Sequence, residues 1–375
     1  MAAPAALLMD ELVEEVLLRV PPEDPARLLR AALVCKRWGR LVSGRGFRRR
    51  YRDLHRTAPV LGFLTFLADV PYVAHFVPTS SFRPPRADHT SWRALHSAHG
   101  RILLYRTPWS HWEPEVSHLS VWDPVTDERR ELPTLSPELY PESPGWNAAV
   151  LCAAAGCDHL DCHRGPFLVV FVGNVSDKVV ACVYSSEAGA WSKPTDVQEH
   201  GDLFILGAKV IVGNALYFKY EDSNKLLKFD WTTQEMSVIH LPRKFSLRRI
   251  VLMAMEDGKL GFAIMNKSRL HLWSMEFGPS GGARWAQSRD IELDAVLPVG
   301  ALSNKPHIAG HSDGTGVILM WTNDGFFSVD LKSGRIKNVG KGHGYVDTVV
   351  PFVNFCTPAI RAACTDERSG AGISS

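Results

Sequence analysis

Apolar residues at the start of the chain recur with the helical period. Leu8, Leu12, Val13, Val16, Leu17 and Val20 fall at offsets of 4, 5, 8, 9 and 12, laying one apolar stripe along a helix whose other face is acidic. Pro21-Pro22 ends it, because proline removes an amide donor and holds the preceding residue extended. Asp24 offers an N-cap oxygen and Pro25 suits the first helical position, so a second short helix carrying Leu28 and Leu29 follows. Val34, Trp38, Leu41 and Val42 mark a third, ending at Ser43-Gly44, and Phe47, Tyr51 and Leu54 repeat the spacing. Helices this short are unstable singly and must pack together. A cluster of about fifty residues cannot hide all of Leu8, Leu12, Leu17, Leu28, Leu29 and Trp38, and that surplus predicts a surface for a partner.

From about Pro59 the pattern changes to short runs of β-branched and aromatic residues broken by Gly, Asp, Asn and Pro, which is the pattern of many short strands. A glycine followed by an apolar strand recurs at Gly62, Gly100, Gly165, Gly213, Gly258 and Gly316. After most of these a strand runs into a polar turn and another strand, as around Asp123, Asp230 and Asp330, with weaker copies at Tyr184 and Trp273. Asp-Pro and Lys-Ser-Gly are turn chemistry, since Asp accepts from its own following amides and Gly takes positive φ. Six units of three or four strands between Pro59 and Pro358 predict a six-bladed β-propeller, with a pair of β-sandwiches as the alternative. The expected organisation is a helical module over 1–56, an all-β domain over 57–358 and a flexible Ser- and Gly-rich tail over 359–375.

Composition adds exclusions. No apolar run approaches the length a membrane helix needs, so no membrane association is expected. The start of the chain lacks the basic and long apolar regions of a secretory signal, and the 7 cysteines are an odd and modest count, so a reducing interior is expected: nucleus, cytoplasm or both. The net charge of +2 is uninformative, but the helical module is polarised. Asp10, Glu11, Glu14, Glu15, Glu23 and Asp24 precede position 25 against Arg19 alone, whereas residues 25–56 hold eleven Lys or Arg against Asp53.

The segment LLMDELVEEVLLRVPPEDPARLLRAALVCKRWGRLVS, Leu7 to Ser43, resembles the F-box along its length: an opening Leu, Asp-Glu-Leu, a leucine-rich helix, Val20-Pro21, then Val34-Cys35-Lys36-Arg37-Trp38. The resemblance implies binding to the Skp-type adaptor of a cullin-based SCF ubiquitin ligase, through Leu8, Leu12, Val16, Leu17, Leu28, Val34, Cys35, Lys36 and Trp38. It departs from the family pattern at Met9, where the family carries proline. With the β-rich remainder, the whole chain resembles the plant, particularly grass-type, F-box proteins that carry a propeller-like F-box-associated domain. That implies a non-catalytic substrate receptor joined through the adaptor to a cullin scaffold, or an interaction adaptor acting outside ubiquitination.

Candidate chemistry elsewhere is sparse. Cys152, Cys157, His159, Cys162 and His163 cluster, but their spacing matches neither Cys-x2-Cys nor His-x3-His, so the reading is a loop with one or two buried cysteines and no metal or other cofactor. Gly278-Pro-Ser280-Gly-Gly282 fits Gly-x-Ser-x-Gly, yet a nucleophile elbow needs a strand before it and a helix after it; a hairpin turn is expected, and no catalytic residue is assigned. Arg45, Arg48, Arg49, Arg50, Arg52 and Arg56 interleave with Phe47, Tyr51 and Leu54 at helical spacing, which predicts a solvated helix face and no nucleic-acid contact. Most of the aromatics, among them Trp92 and Trp146, are expected to fill the wedges between blades. Trp109, His111 and Trp112 lie in a loop-like stretch and are the candidates for holding a target protein.

Overall fold

The computed structural model describes residues 10–67, 73–107, 118–139, 145–157, 159, 162–175, 178–198, 204–221, 223–245, 250–277, 283–293, 297, 306–322, 324–340 and 349–357. The chain divides into two compact units, one containing the N-terminal helices and the other spanning Thr57–Phe355.

Among the described residues the first unit holds four helices: α1 (Asp10–Leu18), α2 (Pro25–Val34), α3 (Lys36–Ser43) and α4 (Arg45–His55). The Pro21-Pro22 stop and Pro25 at the first turn of α2 are as the sequence predicts, but Asp24 makes no side-chain cap and pairs with Arg27 at 3.1 Å. Val34 closes α2 instead of opening the third helix. Cys35, extended at φ −159° and ψ 162°, breaks the chain there, and its Sγ accepts from the Trp38 amide at 3.5 Å to start α3. The interior is Val13, Leu17, Leu18, Leu28, Val42, Phe47 and Tyr51, all buried. Tyr51 Oη donates to the Val20 carbonyl at 2.8 Å, closing α4 onto the end of α1. The charge polarity has a structural outlet: Arg50 bridges Glu14, at 2.8 Å, and Glu15, while Arg37 meets Asp10 at 2.5 Å.

The second unit is a six-bladed β-propeller. Blade 1 holds β1 (Val60–Leu67), β2 (Val73–Pro78) and β3 (Asp88–Thr90). Blade 2 holds β4 (Trp92–Ala98), β5 (Arg101–Arg106), β6 (Leu119–Trp122) and β7 (Arg129–Glu131). Blade 3 holds β8 (Trp146–Cys152), β9 (Phe167–Val175), β10 (Lys178–Ser185) and an outer strand interrupted before Thr195 into β11 (Ala190–Trp191) and β12 (Thr195–Val197). Pro194 accounts for the interruption, since proline cannot donate to the ladder. Blade 4 holds β13 (Phe204–Val212), β14 (Ala215–Tyr220), β15 (Lys225–Asp230) and β16 (Glu235–His240). Blade 5 holds β17 (Ile250–Ala254), β18 (Leu260–Asn266), β19 (Arg269–Phe277) and β20 (Ala283–Glu292); blade 6 holds β21 (His307–Ser312), β22 (Val317–Thr322), β23 (Gly325–Asp330) and β24 (Ile336–Gly340). The last strand, β25 (Val350–Val353), becomes the innermost strand of blade 1 by pairing antiparallel with β1, Phe352 opposite Gly62 and Val350 opposite Leu64.

The innermost strands β25, β4, β8, β13, β17 and β21 each touch the next around the ring. Every recurring glycine lies in or just before the second strand of its blade: Gly62 in β1, the others ahead of β5, β9, β14, β18 and β22. Gly62 tolerates no side chain, because a Cβ there would lie 2.3 Å from the Phe76 ring and 2.7 Å from the Val77 carbonyl. The outer hairpins share one turn. Asp123 Oδ1 accepts from Val125 N at 2.8 Å, Asp230 from Thr232 N at 2.9 Å and Asp330 from Lys332 N at 2.8 Å. The turn then passes through positive φ at Asp127, Gln234 and Gly334. Between blades lies one aromatic and aliphatic wedge after another: Tyr105, Trp146, Phe171 and Tyr184 at one, Phe245, Phe262, Trp273 and Trp285 at another. Trp92 and Trp146 open the innermost strands β4 and β8.

Candidate functional site

The helical unit keeps part of its apolar stripe outside. In α1 the stripe splits: Val13 and Leu17 point inward, while Leu12 is 54% and Val16 66% exposed. In α2, Leu28 is buried, but Leu29, Leu33 and Val34 are 46%, 80% and 65% exposed. Cys35 and Lys36 follow on the surface, and Trp38 is half-buried. Of the predicted adaptor residues, Leu12, Val16, Val34, Cys35, Lys36 and, in part, Trp38 are therefore available to a partner. Leu17 and Leu28 are not: at 4% and 1% exposure they are consumed by the packing of α1, α2 and α3, and can act only by holding the exposed residues in place. Leu8 lies outside the described residues, as does Met9. Leu33 was missed, and Leu29 was read as part of the apolar surplus but not among the adaptor residues that the resemblance implies. A helical stripe says which residues share a face but not which side of it packs, and Leu29 and Leu33, four apart, form a row beside the buried Leu28.

Trp109, His111 and Trp112, the predicted target-binding residues, lie outside the described residues between β5 and β6. The Gly278–Gly282 motif also lies outside them, but β19 and β20 on either side pair with each other, Phe277 opposite Ala283, so the helix an elbow requires does not follow it. The basic run forms α4, with Arg45, Arg49 and Arg50 exposed; Arg52 is the exception, buried at 4%.

The structure also assembles two groups of polar side chains. On the propeller axis, Lys209 of β13 donates to Asn147 Oδ1 of β8 at 2.6 Å. His96 of β4 faces Asp313, next to β21, at 4.0 Å, and His311 of β21 reaches the same carboxylate at 3.3 Å. Blades 2 and 6 are not neighbours in the ring, so a contact between them must cross the axis. Burial holds Lys209 at about 7, far below its ordinary 10.5, with the attraction of Asp313 opposing the shift. Burial likewise keeps His96 well below the usual histidine range, and its Nδ1 accepts from the Val150 amide at 3.2 Å. No local motif could announce a group drawn from four blades.

The other group is Cys152, Cys157, His159 and Cys162, whose sulfur and ring-nitrogen atoms all lie within 4.8 Å of one another. The sequence reading of a loop with one or two buried cysteines holds, since Cys162 is buried and Cys152 and Cys157 are half-buried, but it did not foresee that these sulfurs and His159 converge. The spacing templates assume a single local turn, whereas here Cys152 is fixed by the end of β8 and the other three by the turns that follow. His163 contributes no described side chain.

An exposed leucine-rich face on a helical module, followed in the chain by a six-bladed propeller, is the make-up of an F-box protein with a propeller interaction domain. Residues 8–50 match the F-box domain. Residues 94–360 match the family described as F-box protein AT5G49610-like, beta-propeller, and the chain belongs to that family. F-box domains bind Skp-type adaptors, and this architecture is typical of non-catalytic substrate adaptors. No curated protein matches the chain. Among solved structures, apo AztD from Citrobacter koseri is 12% identical with a TM-score of 0.31, over 74% of this chain and 65% of that one. The hydrazine synthase of Kuenenia stuttgartiensis is 12% identical with a TM-score of 0.35, over 61% and 73%. A mutant of the GH43 protein BlXynB from Bacillus licheniformis is 13% identical with a TM-score of 0.34, over 83% and 60%. Likenesses so faint carry no inference. No helix among the described residues is long and apolar enough to cross a membrane.

Proposed function

We propose that this protein is the substrate-recognition subunit of an SCF-type ubiquitin ligase of the plant, grass-type group, working in the nucleus, the cytoplasm or both. The helical module docks a Skp-type adaptor and through it a cullin scaffold; the propeller holds a target protein, and ubiquitin transfer follows from proximity and orientation without chemistry by this chain. The observation that carries the reading is the row of unburied Leu12, Val16, Leu29, Leu33 and Val34 on the segment that matches the F-box. Apolar side chains exposed this densely on so small a unit mark a protein interface. Met9, where the family carries proline, favours a second reading, an interaction adaptor outside ubiquitination.

The test uses the full chain. Adaptor capture should fall by about tenfold or more in Leu12→Asp with Val34→Asp, as expected for loss of anchor residues, and stay unchanged in Leu54→Asp on α4. Equal recovery of all three would overturn the adaptor role. Given capture, a co-purified partner that accumulates under proteasome inhibition supports the ligase reading; a partner whose level does not respond supports the second.

A further inference from the structure

The cysteine and histidine cluster at the β8–β9 connection is a built site that the receptor function does not use. Other inner hairpins are short: residues 99–100 join β4 to β5 and 213–214 join β13 to β14, whereas 153–166 separate β8 from β9. Three of the chain's 7 cysteines stand in or beside this long connection. They are free thiols, with Cys162 buried and Cys152 and Cys157 partly so. Their approach is set by backbone geometry: Gly156 at φ 63° and His159 at φ 53° turn the chain back, and a 3-10 turn over Cys162–Arg164 aims the last sulfur inward.

We propose that Cys152, Cys157, His159 and Cys162 bind one structural zinc ion. Tetrahedral zinc with bonds of about 2.3 Å to sulfur and about 2.0 Å to nitrogen places its ligand atoms roughly 3.5–3.8 Å apart. Cys162 Sγ lies 3.7 Å from His159 Nδ1, and the full set lies within 4.8 Å, so small side-chain adjustments close the site. The His159 amide donates to Cys157 Sγ at 3.3 Å, the kind of outer contact that orients a metal-bound thiolate.

Charge supplies a second, independent argument. Arg101, 3% exposed, donates through Nη2 to the Cys162 carbonyl at 2.5 Å and to that of Gly165, gripping the loop, and has no carboxylate in ion-pair contact among the described residues. A buried cation with no carboxylate in contact is costly, and the Asp123 carboxylate acts on Arg101 only from beyond ion-pair distance. Zinc with three thiolates and a neutral imidazole carries a net charge of −1, which adds a counter-charge on the loop that Arg101 grips. Because Arg101 opens β5 in blade 2 and the loop leaves β8 in blade 3, the ion would lock two blades together, with the His99 ring packed 3.9 Å from that of His159.

The full chain, purified under reducing conditions, should contain one zinc per molecule by elemental analysis and native mass spectrometry. Cobalt replacement should give the absorption of a tetrahedral thiolate site. Cys157→Ser with Cys162→Ser should abolish zinc, and Cys356→Ser should not. Since the double variant could misfold, His159→Asn at an exposed position is the milder probe; it should release zinc to a chelator roughly tenfold faster or more, with circular dichroism unchanged. Zinc that is absent from the wild type, zinc that all variants retain equally, or thiol titration showing a disulfide among these cysteines would each overturn the assignment.

Discussion

The two units treat the same raw material in opposite ways. Large apolar side chains that remain exposed among the described residues, Leu12, Val16, Leu29, Leu33, Val34 and Leu54, all belong to the helices. In the propeller, by contrast, whole strands vanish from solvent: every residue of β14 is buried, as is every residue of β5 but the last. The cause is closure. A ring of blades gives each sheet two apolar neighbours, so both faces of a strand are covered and alternation gives way to continuous apolar runs. Four short helices have no such geometry, and part of their apolar surface stays uncovered. Burial in this chain therefore reads as self-sufficiency in one unit and as an unmet need in the other.

Breaking closure should have the largest effect. Phe352 is fully buried on β25 and packs against Phe76 and Phe82, ring centroids 6.2 and 5.7 Å away. Phe352→Ala should cost roughly 3–5 kcal/mol in urea denaturation, the usual range for an emptied aromatic site. Its adaptor capture should be unaffected.

Next comes the axis. Lys209 titrates at about 7 in the folded chain and at its ordinary 10.5 when unfolded. Between those values the unfolded chain binds the extra proton, so stability should climb as pH rises through the window, by a few kcal/mol at most. Urea midpoints measured from pH 7 to 10 should show the climb in the wild type and lose it in Lys209→Met. A flat wild-type profile would mean the ammonium is solvated in the native state.

His89 should give a smaller effect of the same sign at lower pH. It is 3% exposed, neither ring nitrogen has a hydrogen-bond partner, and it lies 4.2 Å from the Trp122 ring. Burial lowers its titration from 6.5 to about 4. Stability should therefore fall as pH drops from about 6.5 toward 4, by up to about 3 kcal/mol, with no further loss from this group below that. His89→Phe should flatten that part of the acid profile.

Least of all should be the stability change from Leu33→Asp, within about 0.5 kcal/mol because the side chain already faces water. If that substitution unfolds the helical unit, the exposed row is part of its core and the contrast between the units fails.

What could be read in the letters follows from where each signal originates. Gly62, Gly100, Gly165, Gly213, Gly258 and Gly316 each sit beside a second strand, and Asp123, Asp230 and Asp330 each accept from the amides of their own turn, so local chemistry was enough to count six blades. The innermost strands were not legible. β25 carries Pro351 and only four residues, and its partner β1 is far back in the chain, so nothing nearby marks it as a strand. The helix ends were read within a residue or two except at Val34, where the deciding event is the sulfur of Cys35 capping α3. The axial group stayed hidden, and the cysteines and His159 were noticed in the sequence but their convergence was not, for a related reason: each depends on strand ends and side chains brought together by the fold, which spacing rules for single turns do not capture.

The pairing of β25 with β1 also sets a timetable for biosynthesis. The edge of β1 leaves the ribosome early but meets its mate only after nearly three hundred further residues are made, roughly 15–60 s at ordinary elongation rates. For that interval the nascent chain displays an open strand edge, while the F-box segment has already emerged complete. A Skp-type adaptor, the kind of partner F-box domains bind, would meet the helical module before the propeller exists, and a message truncated before Val350 would yield a chain with its F-box whole but its ring unable to close.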